Sequence, residues 1–386
     1  MSIRTPESAP LRGATVHTLT WPFTFECGAV LPDLRIAYET WGELGPARDN
    51  AVLVVHALTG DAHAASGGSS GDSRRGWWEG LIGPGKCIDT SEYFVVCANL
   101  PGSCYGSSGP CDPDPQTGEP YGPNFPVVTP RDMARVQRAL LDALGVRSVA
   151  LVLGGSVGAM VVWEFIAEYP GLARAAAPMA GAPQTSPWAV AFNAVARQAI
   201  EQDPGWKGGR YSDAGPERGL SLARQIAMIT YRTGELFESR FGREREDGSP
   251  SCTWEAGNRF QVERYLDYQG RKLVSRFDAR SYLALTRAMD LHNMARGRGG
   301  LDAALARIDS RVHCVGIDTD VLFRAEEMRR AARDLEALGR AARYEEVLSP
   351  YGHDAFLVEV VQVGAIIQDA LKPPSPLGAD KEACKP

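Results

Sequence analysis

Four stretches of this 386-residue sequence are apolar nearly throughout: residues 51–55 (AVLVV), 93–98 (YFVVCA), 149–153 (VALVL) and 173–179 (ARAAAPM). A strand with one wet face alternates apolar and polar residues, whereas a strand covered on both faces has no reason to alternate. The four runs therefore predict the parallel centre of a sheet held between helices, an α/β architecture. Residues 15–25 and 34–40 do alternate and end in polar residues, which predicts an antiparallel edge. Residues 132–144 (DMARVQRALLDAL) carry apolar side chains at helical spacing and are closed by Gly145, so they predict the helix that feeds the third run.

From residue 183 to about residue 298 no strand pattern appears, and 188–202, 220–241 and 280–294 read as helices. Strand signals return at 311–317, followed by a helix at 325–338 with Gly339 as its stop. A last strand at 343–348 and a closing helix from 354 to about 371 complete the pattern. This order predicts a core of residues 1–182 and 299–372, interrupted by a helical lid of residues 183–298, with 373–386 as a flexible tail.

The charge balance narrows the partners. Against 47 Asp and Glu stand 41 Lys and Arg, a net charge of −6, so no domain-wide cationic field is available to hold nucleic acid or anionic lipid. The first thirty residues carry Arg4, Glu7 and Arg12 and no apolar h-region, which argues against a signal peptide. The uncharged stretches 148–163 and 175–196 are broken by glycines or prolines, so neither reads as a membrane span. The eight cysteines are scattered and none forms a CxxC pair, so reduced thiols in a soluble cytoplasmic protein are expected. Cys104 and Cys111, and likewise His56 and His63, lack a ligand-spaced cluster around them, and no metal site is expected.

The chemistry centres on Gly154-Gly155-Ser156-Val157-Gly158, a G-x-S-x-G pattern lying between the strand VALVL and the helical stretch AMVVWEFIAEY. A strand-to-helix reversal this tight thrusts its serine outward and leaves the next backbone NH, that of Val157, free to face an oxyanion. Gly67-Gly68-Ser69-Ser70-Gly71 matches the same pattern in a Gly/Ser loop with no strand before it, so the context of Ser156, not the pattern, carries the inference. A serine needs a base held by an acid. Of the histidines, His17, His292 and His313 lie in predicted strands or helices where a structural role explains them, while His353 follows the last strand in a glycine-containing loop. The acid should follow the strand 311–317, where both Asp318 and Asp320 stand, and spacing does not choose between them. The loop after the first central strand, His56-Ala57-Leu58-Thr59-Gly60, offers the NH of Leu58 as a second oxyanion donor.

Several stretches together resemble the homoserine O-acetyltransferases of methionine biosynthesis and the related homoserine and serine O-succinyltransferases, a group with the α/β-hydrolase fold. They are HALTGDAH from His56, GWWEGLIGPGKCID from Gly76, GSSGP from Gly106 with the following DPQTGEPYGPNFPVVTPRDM, GGSVGAM, FNAVARQAI, ARQIAMITYR, DTDVLF and GHDAFL. The resemblance spans nearly the whole chain. It implies that acetyl-CoA acylates Ser156, that His353 is the base, and that the acid is Asp320, aligned through Thr319-Asp320-Val321-Leu322-Phe323. It further implies that Arg224 grips the carboxylate of L-homoserine, that Asp354 receives its ammonium, and that the protein is a homodimer with no bound cofactor. The sequence departs from the family elbow in having Val157 and Ala159 where Met and Gly are usual, and in the segment 181–187 (GAPQTSP), where the acyl chain and acceptor are expected to approach.

The reading that follows is ping-pong acyl transfer, with the lid excluding water and lid arginines such as Arg232, Arg240 or Arg243 meeting the CoA phosphates. A succinyl donor, a serine acceptor, a serine esterase or thioesterase with the same triad, and a non-catalytic binding module are the alternatives.

Overall fold

The computed structural model describes residues 13–212, 215–249 and 258–373. Arg4, Glu7, Arg12, Cys252, Cys384 and all but the first residue of the expected tail lie outside them. In chain order the strands are β1 (Thr15–Thr18), β2 (Phe23–Thr24), β3 (Val30–Leu31), β4 (Arg35–Trp41), β5 (Ala51–Val55), β6 (Phe94–Ala98), β7 (Val149–Gly155), β8 (Ala173–Met179), β9 (Arg311–Ile317) and β10 (Ala342–Val347). The helices are α1 (Pro130–Ala143), α2 (Val157–Glu168), α3 (Pro187–Glu201), α4 (Glu217–Thr230), α5 (Gly234–Phe241), α6 (Gln261–Val274), α7 (Ala279–Asp290), α8 (Leu301–Leu305), α9 (Ala325–Ala337), α10 (Ala355–Val358) and α11 (Val360–Leu371).

The runs without alternation are the inner strands of one eight-stranded sheet, ordered β1-β4-β6-β5-β7-β8-β9-β10. From β6 to β10 every pairing is parallel, while β1 and β4 add an antiparallel edge. Every residue of β5 and β7 is buried, as double coverage requires. Apolar residues gather into two clusters, one on each face of the sheet. The first joins α1 and α2 to the inserted helices, through residues such as Ala189, Leu220, Ala223 and Leu283; the second is closed by α11.

Local chemistry explains the boundaries. Thr129 and Asp132 form a capping box at the start of α1, with Pro130 at its first position. Residues 15–25 are not one strand: β1 stops at Thr18 ahead of Pro22, and β2 pairs instead with β3. The helix expected over 220–241 is two, because the Thr233 hydroxyl accepts a 3.0 Å bond from the Leu236 NH and starts α5 afresh. The closing helix is broken as well, with a short 3-10 turn at Gly352–Asp354 and a kink at Glu359 between α10 and α11.

Helices α3 to α8 all lie between β8 and β9. The far end of this insertion is tied to the core by charge. Glu164 of α2, its side chain 1% exposed, accepts from Arg131 of α1 at 3.0 Å and from Arg298, after α7, at 2.6 Å. No helix among the described residues is long and apolar enough to cross a membrane.

Candidate active site

The backbone crosses itself at the end of β7. Ser156 sits at φ 60°, ψ −124°, between the strand and the first turn of α2, a conformation that costs a non-glycine residue about 1–3 kcal/mol. Its glycine neighbours make the crossing possible: a Cβ on Gly154 would lie 2.6 Å from the Val55 carbonyl oxygen, and one on Gly158 would lie 2.5 Å from the same atom. A Cβ on Gly155 would meet the Phe356 ring at 2.4 Å. In this frame the serine side chain lines an open cavity of about 690 Å³, together with Leu58, Arg224, His353 and Asp354.

The His353 Nδ1 lies 2.7 Å from Asp320 Oδ2. The other carboxylate oxygen of Asp320 accepts the backbone NH groups of Leu322 and Phe323, at 2.8 and 3.0 Å, so the acid is fixed before it meets the imidazole. Asp318 is used elsewhere, accepting the Ser349 NH at 2.9 Å. The His353 ring is held among Tyr231, Phe323 and Phe356, with centroids 5.3, 5.3 and 5.6 Å away. Burial opposes the imidazolium, but the Asp320 carboxylate beside it and the nearby Asp354 outweigh that, so the pKa of His353 is raised. The other histidines have local roles. His292, after α7, donates from Nε2 to the Ala182 carbonyl oxygen, 3.1 Å away, and His313 lies inside β9 beside Arg343.

Two backbone NH groups next to the site, on the cavity-lining Leu58 and on the residue after Ser156, lack partners. Among the described residues neither Leu58 NH nor Val157 NH reaches a hydrogen-bond acceptor, an uncommon state for groups on buried residues. Arg224, on α4, stands with its guanidinium 5.6 Å from the Tyr231 ring centroid and has no carboxylate in ion-pair reach among the described residues. Burial pushes the Tyr231 hydroxyl up to about 12. Asp354 pairs with Arg232 at 2.9 Å. Of the other arginines considered for phosphate, Arg240 lies over the Phe241 and Tyr265 rings and Arg243 over the Phe260 ring.

Two features escaped the sequence. Arg276, between α6 and α7, lines the cavity and donates to the Thr59 carbonyl at 2.7 Å and to the Tyr105 hydroxyl at 2.9 Å. Its partners lie far away in sequence, so no local spacing announces it. Trp77 also lines the cavity, its indole NH donating to the Asp61 carbonyl at 3.0 Å. Segment 182–187, by contrast, lines a separate surface depression with Arg324 and Glu327 of the α9 region, not the cavity of Ser156.

Metal-ligating residue types converge at His313, Glu345 and Asp369, but the Arg343 guanidinium already lies among them, with its Nε 3.2 Å from His313 Nδ1 and also against the Glu345 carboxylate, and a terminal nitrogen against Asp369. The His63 ring is held by Glu39 at 3.0 Å, and burial pushes the Cys104 thiol up to about 12.

Residues 50–360 match the family described as the alpha/beta hydrolase fold. The chain is 49% identical over 348 residues to the homoserine O-acetyltransferase of Moorella thermoacetica, covering 90% of this chain and 92% of that protein. The crystal structure of homoserine O-acetyltransferase from Bacillus anthracis superposes with a TM-score of 0.86 at 28% identity, over 93% of this chain and 97% of that one. The structure of esterase E22 does so with a TM-score of 0.84 at 26% identity, over 93% and 99% of the two chains.

Proposed function

The chain belongs to the homoserine O-acetyltransferase family of the alpha/beta hydrolase fold, and we propose that it moves the acetyl group of acetyl-CoA to the hydroxyl of L-homoserine through an acyl-serine intermediate. The observation that carries this reading is the 2.7 Å bond between His353 and Asp320 beside a cavity that Ser156, Arg224 and Asp354 all line. Ser156 Oγ attacks the thioester carbon while its proton passes to His353 Nε2; the C–S bond breaks, and the departing thiolate takes that proton, leaving an O-acetyl serine. The homoserine hydroxyl then attacks the ester carbon, giving its proton to the same nitrogen, which returns it to Ser156 Oγ. Asp320 keeps the Nδ1 proton in place and steadies the imidazolium. The Leu58 and Val157 NH groups receive the oxyanion in both halves.

A zwitterionic acceptor needs one fixed charge of each sign. Arg224 supplies the positive one to the carboxylate and Asp354 the negative one to the ammonium. The ammonium shares Asp354 with Arg232, which keeps that carboxylate paired when the acceptor is absent. The Arg240 and Arg243 guanidinium groups, with no carboxylate in ion-pair reach among the described residues, are the cations left for the CoA phosphates. The inserted helices, reaching the cavity through Arg224 and Arg276, act as the lid that lets transfer outrun hydrolysis. Exposed apolar residues on α3 and α4, among them Trp188, Val195, Leu222 and Ile229, are the surface for a homodimer in the cytoplasm.

The test is thiol release from acetyl-CoA with and without L-homoserine. Release that depends on the amino acid, with O-acetylhomoserine as product, supports transfer. Steady release without it favours the second reading, a hydrolase, for which the likeness to esterase E22 is the specific support. Crossing acetyl-CoA and succinyl-CoA with homoserine and serine tests the choice of donor and acceptor.

A further inference from the structure

The loop that carries Leu58 is governed by a buried histidine to which the acyl-transfer scheme gives no part. His56 directly follows β5 and is fully buried. Its Nε2 lies 2.9 Å from the backbone nitrogen of Leu100, and an amide nitrogen can only donate, so Nε2 is the acceptor. The proton of the neutral ring is therefore on Nδ1. Burial lowers the pKa of His56 to about 4, so the ring stays neutral around pH 7 and this tautomer persists. The Nδ1–H donates to the Ala57 carbonyl oxygen, 2.8 Å away. That oxygen also accepts the Gly60 NH at 2.9 Å, closing the turn.

The consequence follows from peptide geometry. No cis peptide occurs among the described residues, so the Ala57 carbonyl and the Leu58 NH belong to one planar trans unit and point in opposite directions. Pulling the oxygen toward His56 and Gly60 turns the Leu58 NH away from them and leaves it without an acceptor. Gly60 fits this turn closely: a Cβ there would come within 3.0 Å of the His56 Cβ. We infer that His56 is a positioning residue for acyl transfer: by holding the Ala57 carbonyl through Nδ1–H, it aims the Leu58 NH at the oxygen that becomes negative during attack. The inference rests on the reading of Leu58 NH as an oxyanion donor to an acyl-serine pathway.

The two ring nitrogens do different things, and amide side chains separate them. In His56→Asn the amide nitrogen stands near Nδ1 and keeps the donation to Ala57; in His56→Gln the amide stands near Nε2 and keeps an acceptor for Leu100 while losing that donation. The measurement is the burst of thiol release on mixing enzyme with acetyl-CoA without homoserine, alongside KM for homoserine and the thermal midpoint. The expected result is a burst rate constant reduced about 100-fold in H56Q, the scale of losing one oxyanion donor. H56N should lose less than about 10-fold, with KM for homoserine unchanged and similar thermal midpoints in both. Equal slowing in the two variants, an unchanged burst in H56Q, or a loss confined to KM overturns the role of His56. A wild-type enzyme without any burst overturns the acyl-serine reading itself, and the inference with it. Nitrogen-15 NMR of the wild-type imidazole is independent of any variant's folding: a protonated Nδ1 with a bare Nε2 is expected at pH 7, and the reverse tautomer overturns the inference.

Discussion

Ser156 carries both the proposed chemistry and a measurable strain. Its positive φ is one that glycine adopts freely. Replacing Ser156 with Gly should therefore stabilise the protein by about 1 kcal/mol while abolishing acyl transfer, whereas Ser156→Ala keeps the strain and should lose activity without that gain. Urea unfolding beside the thiol assay checks both. His353 sets the pH response. Its pKa is raised above the ordinary 6.5, and the imidazole must be neutral to accept a proton, so kcat/KM should rise with pH through a limb lying above that value. Asp320→Asn should lower kcat about 10⁴-fold and move the limb to lower pH, because the stabilising carboxylate is gone. At this scale the sequence was informative where function sits in a local pattern. It could not choose between Asp318 and Asp320, two positions apart, because only the fold decides which of them turns to His353 and which to the Ser349 NH.

The strand–turn–helix unit around Ser156 is specified by contacts no other residue type can make. Gly154→Ala would press a methyl group against the Val55 carbonyl, a backbone atom that cannot step aside, and should destabilise by about 1–3 kcal/mol. Gly234 opens α5 with helical backbone and open space where a Cβ would go, so Gly234→Ala should stabilise by about 0.4–1 kcal/mol. Thermal or urea melts of the pair give opposite signs if this account is right. The same logic explains an element that periodicity failed to announce. Helix α6 reads QVERYLDYQGRKLV, largely polar and carrying a glycine inside that costs helix propensity. Yet a Cβ on Gly270 would come within 2.1 Å of Ser221 Oγ, so the glycine is what lets α6 lie close against α4. The buried strands were legible because double coverage removes alternation; α6 was not, because its reason for being a helix lies on another helix.

Across the whole molecule the insertion and the sheet share one apolar cluster and one buried charge group. Glu164→Ala would leave Arg131 and Arg298, side chains 12% and 5% exposed, without the carboxylate between them. Each arginine keeps a second carboxylate, Glu26 for Arg131 and Glu168 for Arg298, so the expected loss is about 1–3 kcal/mol. Because that group lies where the insertion returns to the core, the wild-type helices and sheet should melt together: far-UV circular dichroism and tryptophan fluorescence should give superimposable transitions, and Glu164→Ala should lower both midpoints equally. The side chains around His353 bear on turnover of the entire enzyme. A ring wedged among three aromatic neighbours has no second resting place, so one nitrogen must answer to thiol, amino alcohol and water alike. Selectivity between making an ester and wasting one is then decided by who is admitted beside it, and by how long the doorway stays shut.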